Sequence, residues 1–128
     1  MTDLAMLARR FVSEVWNGDR PESAYELVVD VETTLAWHAD RRESFPDLRY
    51  EIVDIVAADG CAAIRWHATG TQTGRFGSVP PTGRRVDYNG ATFLKFADDG
   101  RIAEVWSVNE LFQVLQQLGV LMTPPCAA

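Results

Sequence analysis

At Pro46 the apolar pattern of this chain changes period from three-and-four to two, and that switch limits it to folds with helices first and strands after. Ahead of it, Leu4, Leu7, Ala8, Phe11, Val12, Val15 and Trp16 recur at helical spacing, with Arg9, Arg10, Ser13 and Glu14 between them. The spacing predicts an amphipathic helix over 3–17. Asn17-Gly18-Asp19 stops it, because glycine tolerates the left-handed conformation that closes a helix, and Pro21-Glu22 suits the first turn of a second helix over 21–29. Val31, Leu35, Trp37 or His38, Arg42 and Phe45 then mark a third helix. It ends near Ser44, since Pro46 lacks an N–H and restricts the residue before it.

Beyond Pro46, Leu48, Tyr50 and Ile52 alternate with Arg49 and Glu51, and the run closes at Asp59-Gly60 as the first arm of a hairpin. Residues 61–72 return as a strand with Ala62, Ile64, Trp66 and Ala68 on its apolar face. A Gly- and Pro-rich connection over 74–83 leads to a long strand over 85–97, Asp98-Asp99-Gly100 turns the chain, and 101–108 is the last strand. A short helix over 111–118 follows, closed by Gly119, and the chain ends in a Pro-rich tail from about 120. The expected architecture is a single α+β domain: a curved antiparallel sheet covered on one face by the N-terminal helices, with a pocket between the layers.

Charge and motif content narrow the function classes. With a net charge of −6, the chain lacks the basic surface that neutralises phosphates, so nucleic acid and anionic membranes are not expected partners. No apolar run approaches membrane-spanning length and no leader-like segment opens the chain, so a cytoplasmic protein is expected. Cys61 and Cys126 lie far apart and are expected as free thiols. His38 and His67 are the two histidines and no metal-ligand spacing surrounds them, so no metal site is expected. No Gly-rich phosphate loop is present either.

The candidate chemistry gathers on the last strand. Ile102, Glu104, Trp106 and Val108 share one face; if the large apolar Trp106 turns inward, Glu104 does too. A carboxylate on a core face has its pKa raised toward the range useful for proton transfer, unless an arginine at the sheet edge pairs it. Glu110 is in phase with Trp106 if the strand runs that far, at the mouth of the interlayer space; the structural alternative is a carboxylate at a helix N-terminus. Tyr88 shares a face with Val86, Thr92, Leu94 and Phe96, so its hydroxyl enters the same space and needs a partner there. Gln72, in phase with Trp66, offers an amide at the pocket rim. His38 and Trp37 on the third helix, with Trp66 and Trp106, are candidate substrate contacts. His67 falls on the opposite face, with no cavity to work in.

These residues also support a family comparison. The string RWHATGTQTGRFGSVPPTGRRV over 65–86, with GRIAEVWSVNELFQVLQQLG over 100–119, FVSEVWNGD near the start and FPDLRYEI after the third helix, resembles the SnoaL-like polyketide cyclases of the NTF2-like superfamily. The resemblance implies a cone-shaped α+β roll with a deep cavity, a homodimer joined through the outer face of the sheet, and no cofactor. It also implies intramolecular aldol cyclisation of a hydrophobic polyketide intermediate, with one acidic residue as acid/base. The family's acid, typically Asp, follows the last-strand tryptophan by four positions; Glu110 stands there in this sequence. Between the second and third helices, AYELVVDVETTLAWHADRRESF is shorter than the family pattern, which implies a reshaped cavity wall. The same residues suit an epoxide-opening or ether-ring-forming enzyme, a cyclase acting through cavity shape alone, or a silent ligand-binding module.

Overall fold

The computed structural model describes residues 3–120. Cys126 and the Pro-rich tail beyond 120 lie outside the described residues, while Cys61 is an exposed free thiol. The first helix, α1 (Leu4–Arg10), is capped by Asp3, whose carboxylate accepts from the Met6 N–H at 3.1 Å. It continues without a break, but Phe11–Trp16 winds as a π-helix instead of the α-helix expected through 17. Its apolar residues Phe11, Val12, Val15 and Trp16 are nonetheless all buried. The stop is where glycine allows it, at Gly18 with φ 76°. Asn17 then clamps this end to the sheet: its amide donates to the Tyr50 carbonyl at 3.0 Å and accepts from the Tyr50 N–H at 2.7 Å.

The second helix is shorter than its pattern predicts. A 3-10 turn at Pro21–Ser23 leads into α2 (Ala24–Leu27), and the chain leaves helical geometry at Val28. The β-branched pair Val28-Val29 prefers extended backbone. It finds partners at the sheet edge, where Val28 bridges Ile102 and the Val29 N–H donates to the Ile102 carbonyl at 2.9 Å. Helix α3 (Val31–Ser44) runs as expected, with Asp30 accepting from the Thr33 N–H at 3.0 Å and Pro46 two residues past its end.

Strands β1 (Arg49–Ala58), β2 (Cys61–Thr71), β3 (Arg85–Phe96) and β4 (Ile102–Asn109) form an antiparallel meander in sequence order, followed by α4 (Leu111–Gln117). Breaks in register between Ile52 and Asp54 and between Lys95 and Phe96 mark irregularities of the kind that bend a sheet and increase its twist. The result is a curved, unclosed sheet, the α+β roll of the NTF2-like fold. Its concave face contributes Tyr50, Ile64, Trp66, Ala68, Val86, Tyr88 and Leu94 to one core with Phe11, Val12, Val15, Trp16 and Leu27. At the deepest point Trp66 lies opposite Gly90, and a Cβ there would stand 2.2 Å from Trp66 Cζ2. Only glycine leaves room for the indole.

The irregularity at Lys95/Phe96 reverses the expected facing of β4. Ile102 is buried opposite Phe96, but past the break Glu104 pairs with Lys95 and Trp106 with Phe93 on the convex face. One extra residue exchanges the two faces of a strand. Trp106 is therefore 60% exposed, its ring 5.5 Å from that of Phe93, and Val105, Ser107 and Asn109 take the concave side.

Candidate functional site

Between α3 and β4 the concave side encloses an open-mouthed chamber of about 480 Å³. Trp16, Val28, Trp37, Val105 and Ile102 give it apolar walls; Thr33, Thr34, Arg41, Ser107 and Asn109 add polar groups, and Asp30 stands at α3's start. A recess of about 40 Å³ adjoins it, sharing Trp16, Trp37, Arg41, Ser107 and Asn109 and adding Tyr50, Trp66, Phe76 and Tyr88. The chamber's size is that of a drug-sized ligand site.

Aromatic rings form the floor. The Trp16 ring lies 4.8 Å from Tyr50, 5.7 Å from Trp37 and 6.1 Å from Trp66, and Trp66 stands edge-on to Tyr50 at 5.0 Å and to Tyr88 at 5.7 Å. Such tilted and edge-to-face pairs are the favoured geometry of aromatic clusters. Together they line the chamber and its recess with aromatic surface.

Two polar relays rise through this floor. The Trp66 indole Nε1–H donates to Thr92 Oγ1 at 2.9 Å, and Thr92 Oγ1 lies 2.7 Å from Ser107 Oγ. Indole can only donate, so Thr92 Oγ1 accepts from Trp66, and either hydroxyl of the Thr92–Ser107 pair can donate to the other. In the second relay, burial pushes the Tyr50 hydroxyl far up and the Tyr88 hydroxyl up as well, with a hydrogen bond between them that further raises Tyr50 and draws Tyr88 down. Both remain neutral in neutral solution. Both tyrosines line the recess.

The charged groups are few. Asp30 is held below the usual carboxylate range by its hydrogen bonds with Thr33, and so is ionised. The Arg41 guanidinium carbon sits 5.5 Å from the ring centroids of both Trp37 and Phe76. No cluster of three metal-ligand side chains occurs among the described residues.

Several candidates from the sequence stand elsewhere. Glu104 is exposed on the convex face, 3.9 Å from Lys95 Nζ, because the β4 irregularity turns it outward together with Trp106. Glu110 heads α4, where its carboxylate accepts from the Asn89 N–H at 2.7 Å on the exposed edge of β3; the chamber wall is built by its neighbours Asn109 and Leu111. Gln72 is fully buried but staples a loop: its amide donates to the Val79 and Pro80 carbonyls and accepts from the Thr82 N–H and hydroxyl, the last at 2.6 Å. His38 packs toward the Gly18 turn, outside both cavity walls, where burial and the neighbouring Arg42 push its pKa down. His67 lies on the convex face between Asn89 and Asp87, each at 2.8 Å. Trp66, Trp37 and Tyr88 are brought together in the walls.

Sequence reading missed Arg41, Ser107 and Asn109. Arg41 had a signal, four residues after Trp37 and therefore on the same helical face. Ser107 and Asn109 had none, since the reversal of β4 depends on a pairing irregularity.

A curved meander laid over helices around a partly apolar chamber is the architecture of an NTF2-like roll. Comparison with known proteins agrees on the fold. AclR of Streptomyces galilaeus, which carries a provisional hydroxylase assignment, is 27% identical, with 96% of this chain and 89% of that one covered at a TM-score of 0.82. IdmH of Streptomyces antibioticus, provisionally a polyketide cyclase, is 26% identical over 93% of this chain and 100% of its own, at 0.79. TsrD of Streptomyces laurentii is 21% identical over 94% of this chain and 100% of its own, at 0.85, and at that identity speaks for the fold alone. No curated protein matches the chain. The chain belongs to the SnoaL-like polyketide cyclase family, whose model matches residues 6–118.

Proposed function

We propose that this protein is a cofactor-independent cyclase that folds a polyketide-derived intermediate of natural-product biosynthesis inside the chamber and hydrogen-bonds the carbonyl oxygen that gains charge as the ring closes. The observation that carries this is the Trp66–Thr92–Ser107 relay, buried at Trp66 and Thr92 and ending in the Ser107 hydroxyl at a partly apolar chamber. In an aldol closure the nucleophilic carbon loses a proton, the new C–C bond forms, and the acceptor oxygen takes up negative charge and then a proton. Ser107 and Asn109 are the donors assigned to that oxygen, and one such donor is worth about 10² to 10³ in rate. Holding a flexible chain in a reactive conformer contributes several kcal/mol more.

The test is ring formation from a linear aryl poly-β-ketone, followed by mass-resolved chromatography against the uncatalysed reaction. Wild type accelerates closure, Ser107→Ala loses roughly 10²-fold of that acceleration, and Glu104→Gln keeps it. A wild-type rate equal to that in buffer refutes the reading. A second reading, a binding module without turnover, is favoured by Asp30 being a weak base already committed to Thr33. Tight binding with no acceleration would establish it.

The convex face supports a homodimer as part of the same proposal. Phe93, Trp106 and Val108 are exposed there side by side, with Lys95 and Glu104 beside them as a self-complementary charge pair. Trp106→Lys is expected to leave the chamber intact and convert the dimer to monomer, measured by light scattering. A monomeric wild type removes this part.

A further inference from the structure

Arg41 is the one cationic side chain in the walls of the chamber and its recess, among the described residues. It forms no ion pair with a described residue, although Asp30 shares the chamber wall with it and Asp40 and Glu43 lie within two residues on α3. No described acceptor takes a hydrogen bond from it either. By contrast its neighbour Arg42 spends its guanidinium on the Trp16 and Pro46 carbonyls, at 2.6 Å and 3.3 Å. What holds Arg41 is the pair of rings, Trp37 and Phe76, each 5.5 Å from its central carbon. Ring contacts engage the charge and leave the N–H donors uncommitted.

A guanidinium cannot lose its charge, and its donor fork matches planar oxyanions in two-point geometry. Tyr88 lines the same recess as Arg41. We infer that Arg41, with Tyr88 beside it, is an anchor for a planar organic oxyanion, so that the preferred ligand is an aromatic-sized molecule bearing a 1,3-dicarbonyl enolate or a carboxylate. A neutral molecule of the same shape fills the aromatic floor but leaves the guanidinium unpaired in a partly desolvated wall, where an unmade charged contact is costly.

Resting on the cyclase reading, the anchor also supplies what the chamber lacks. A methylene between two carbonyls loses its proton to solvent through the open mouth, and the enolate so formed is held by Arg41. Its carbon forms the new bond to the acceptor carbonyl carbon, the carbonyl electron pair moves to oxygen, and that oxygen takes a proton from water. The proton count closes with no strong protein base.

The experiment measures binding, not turnover. Tryptophan fluorescence and calorimetry at neutral pH compare 3-hydroxy-2-naphthoate with its methyl ester; 1-(2-naphthyl)butane-1,3-dione is titrated with pH by enolate absorbance, free and bound. Wild type binds the naphthoate about 10- to 100-fold more tightly than the ester, the range for a charged hydrogen bond. Arg41→Gln abolishes that preference without weakening the ester, Arg41→Lys keeps part of it, and the bound dicarbonyl ionises at lower pH than the free one. A preference for the naphthoate without the dicarbonyl shift assigns the site to carboxylates; both together assign it to planar oxyanions generally. Equal wild-type affinity for acid and ester, or parallel loss of both in Arg41→Gln, overturns the anchor and leaves the chamber reading standing. Failure of both probes to bind overturns the two together.

Discussion

Replacing Thr92 by valine tests the relay on which the site depends. The two side chains are nearly the same size, so the change deletes one hydroxyl and little else. Thr92 is fully buried and its oxygen has two partners, the Trp66 Nε1–H at 2.9 Å and the Ser107 hydroxyl at 2.7 Å. Ser107 is exposed enough to bond water instead, so its loss costs little. The buried indole N–H has no such recourse, and leaving it without an acceptor costs about 1–3 kcal/mol. Burying a methyl in place of a hydroxyl returns up to about 0.8 kcal/mol. With the full offset the net expectation is a loss of about 0.2–2 kcal/mol, or up to roughly 8 °C in melting temperature for a domain of this size.

The measurement is urea unfolding with an unchanged denaturant slope, run as a double-mutant cycle with Trp66→Phe, which deletes the donor. The cycle should return a coupling of about 1 kcal/mol, because the double variant leaves no orphaned N–H. Thr92→Ser, which keeps the oxygen, should cost less than Thr92→Val. Thr92→Val as stable as wild type, with zero coupling to Trp66, would show that the indole is not held by this hydrogen bond.

Three further expectations follow from the packing. Gly90→Ala should cost about 1–3 kcal/mol, since its Cβ would overlap the Trp66 ring, and adding Trp66→Leu should recover part of the loss in thermal unfolding. Gln72→Ala should release the connection between β2 and β3, speeding proteolysis within 73–83 while leaving α3 and its helical signal intact. The Glu14 carboxylate, bonded by Arg10 and then by Ser23, titrates below its unfolded value of 4.5, so it adds stability above that pH and loses it as pH falls through the folded value. Glu14→Gln should flatten the acid limb of the stability curve, measured by unfolding between pH 3 and 7; an unchanged limb would deny the bond its role.

Much of the architecture was legible in the residues because it rests on local physics. Pro46 ends α3 by its missing N–H, and Gly18 closes the N-terminal helical segment at a φ that other residues avoid. The alternating apolar residues of β2 and β3 face the core as their period demands, which places Trp66 and Tyr88 in the cavity wall. None of these outcomes needs a distant partner.

What tertiary structure alone decided is which way the last strand faces and what surrounds the ligand space. The apolar size of Trp106 argued for an inward side chain, yet a single irregularity opposite Lys95 and Phe96 turns it and Glu104 outward and brings Ser107 and Asn109 in. Val28 leaves its helix because a sheet edge from the far end of the chain offers it a partner, and Arg41 acquires its two rings from α3 and from the loop after β2. Periodicity records a side chain's phase only as far as its own strand stays regular. Pairing between segments far apart in sequence sets the rest, because an unpaired backbone group or an inserted residue is resolved by neighbours that no local pattern contains.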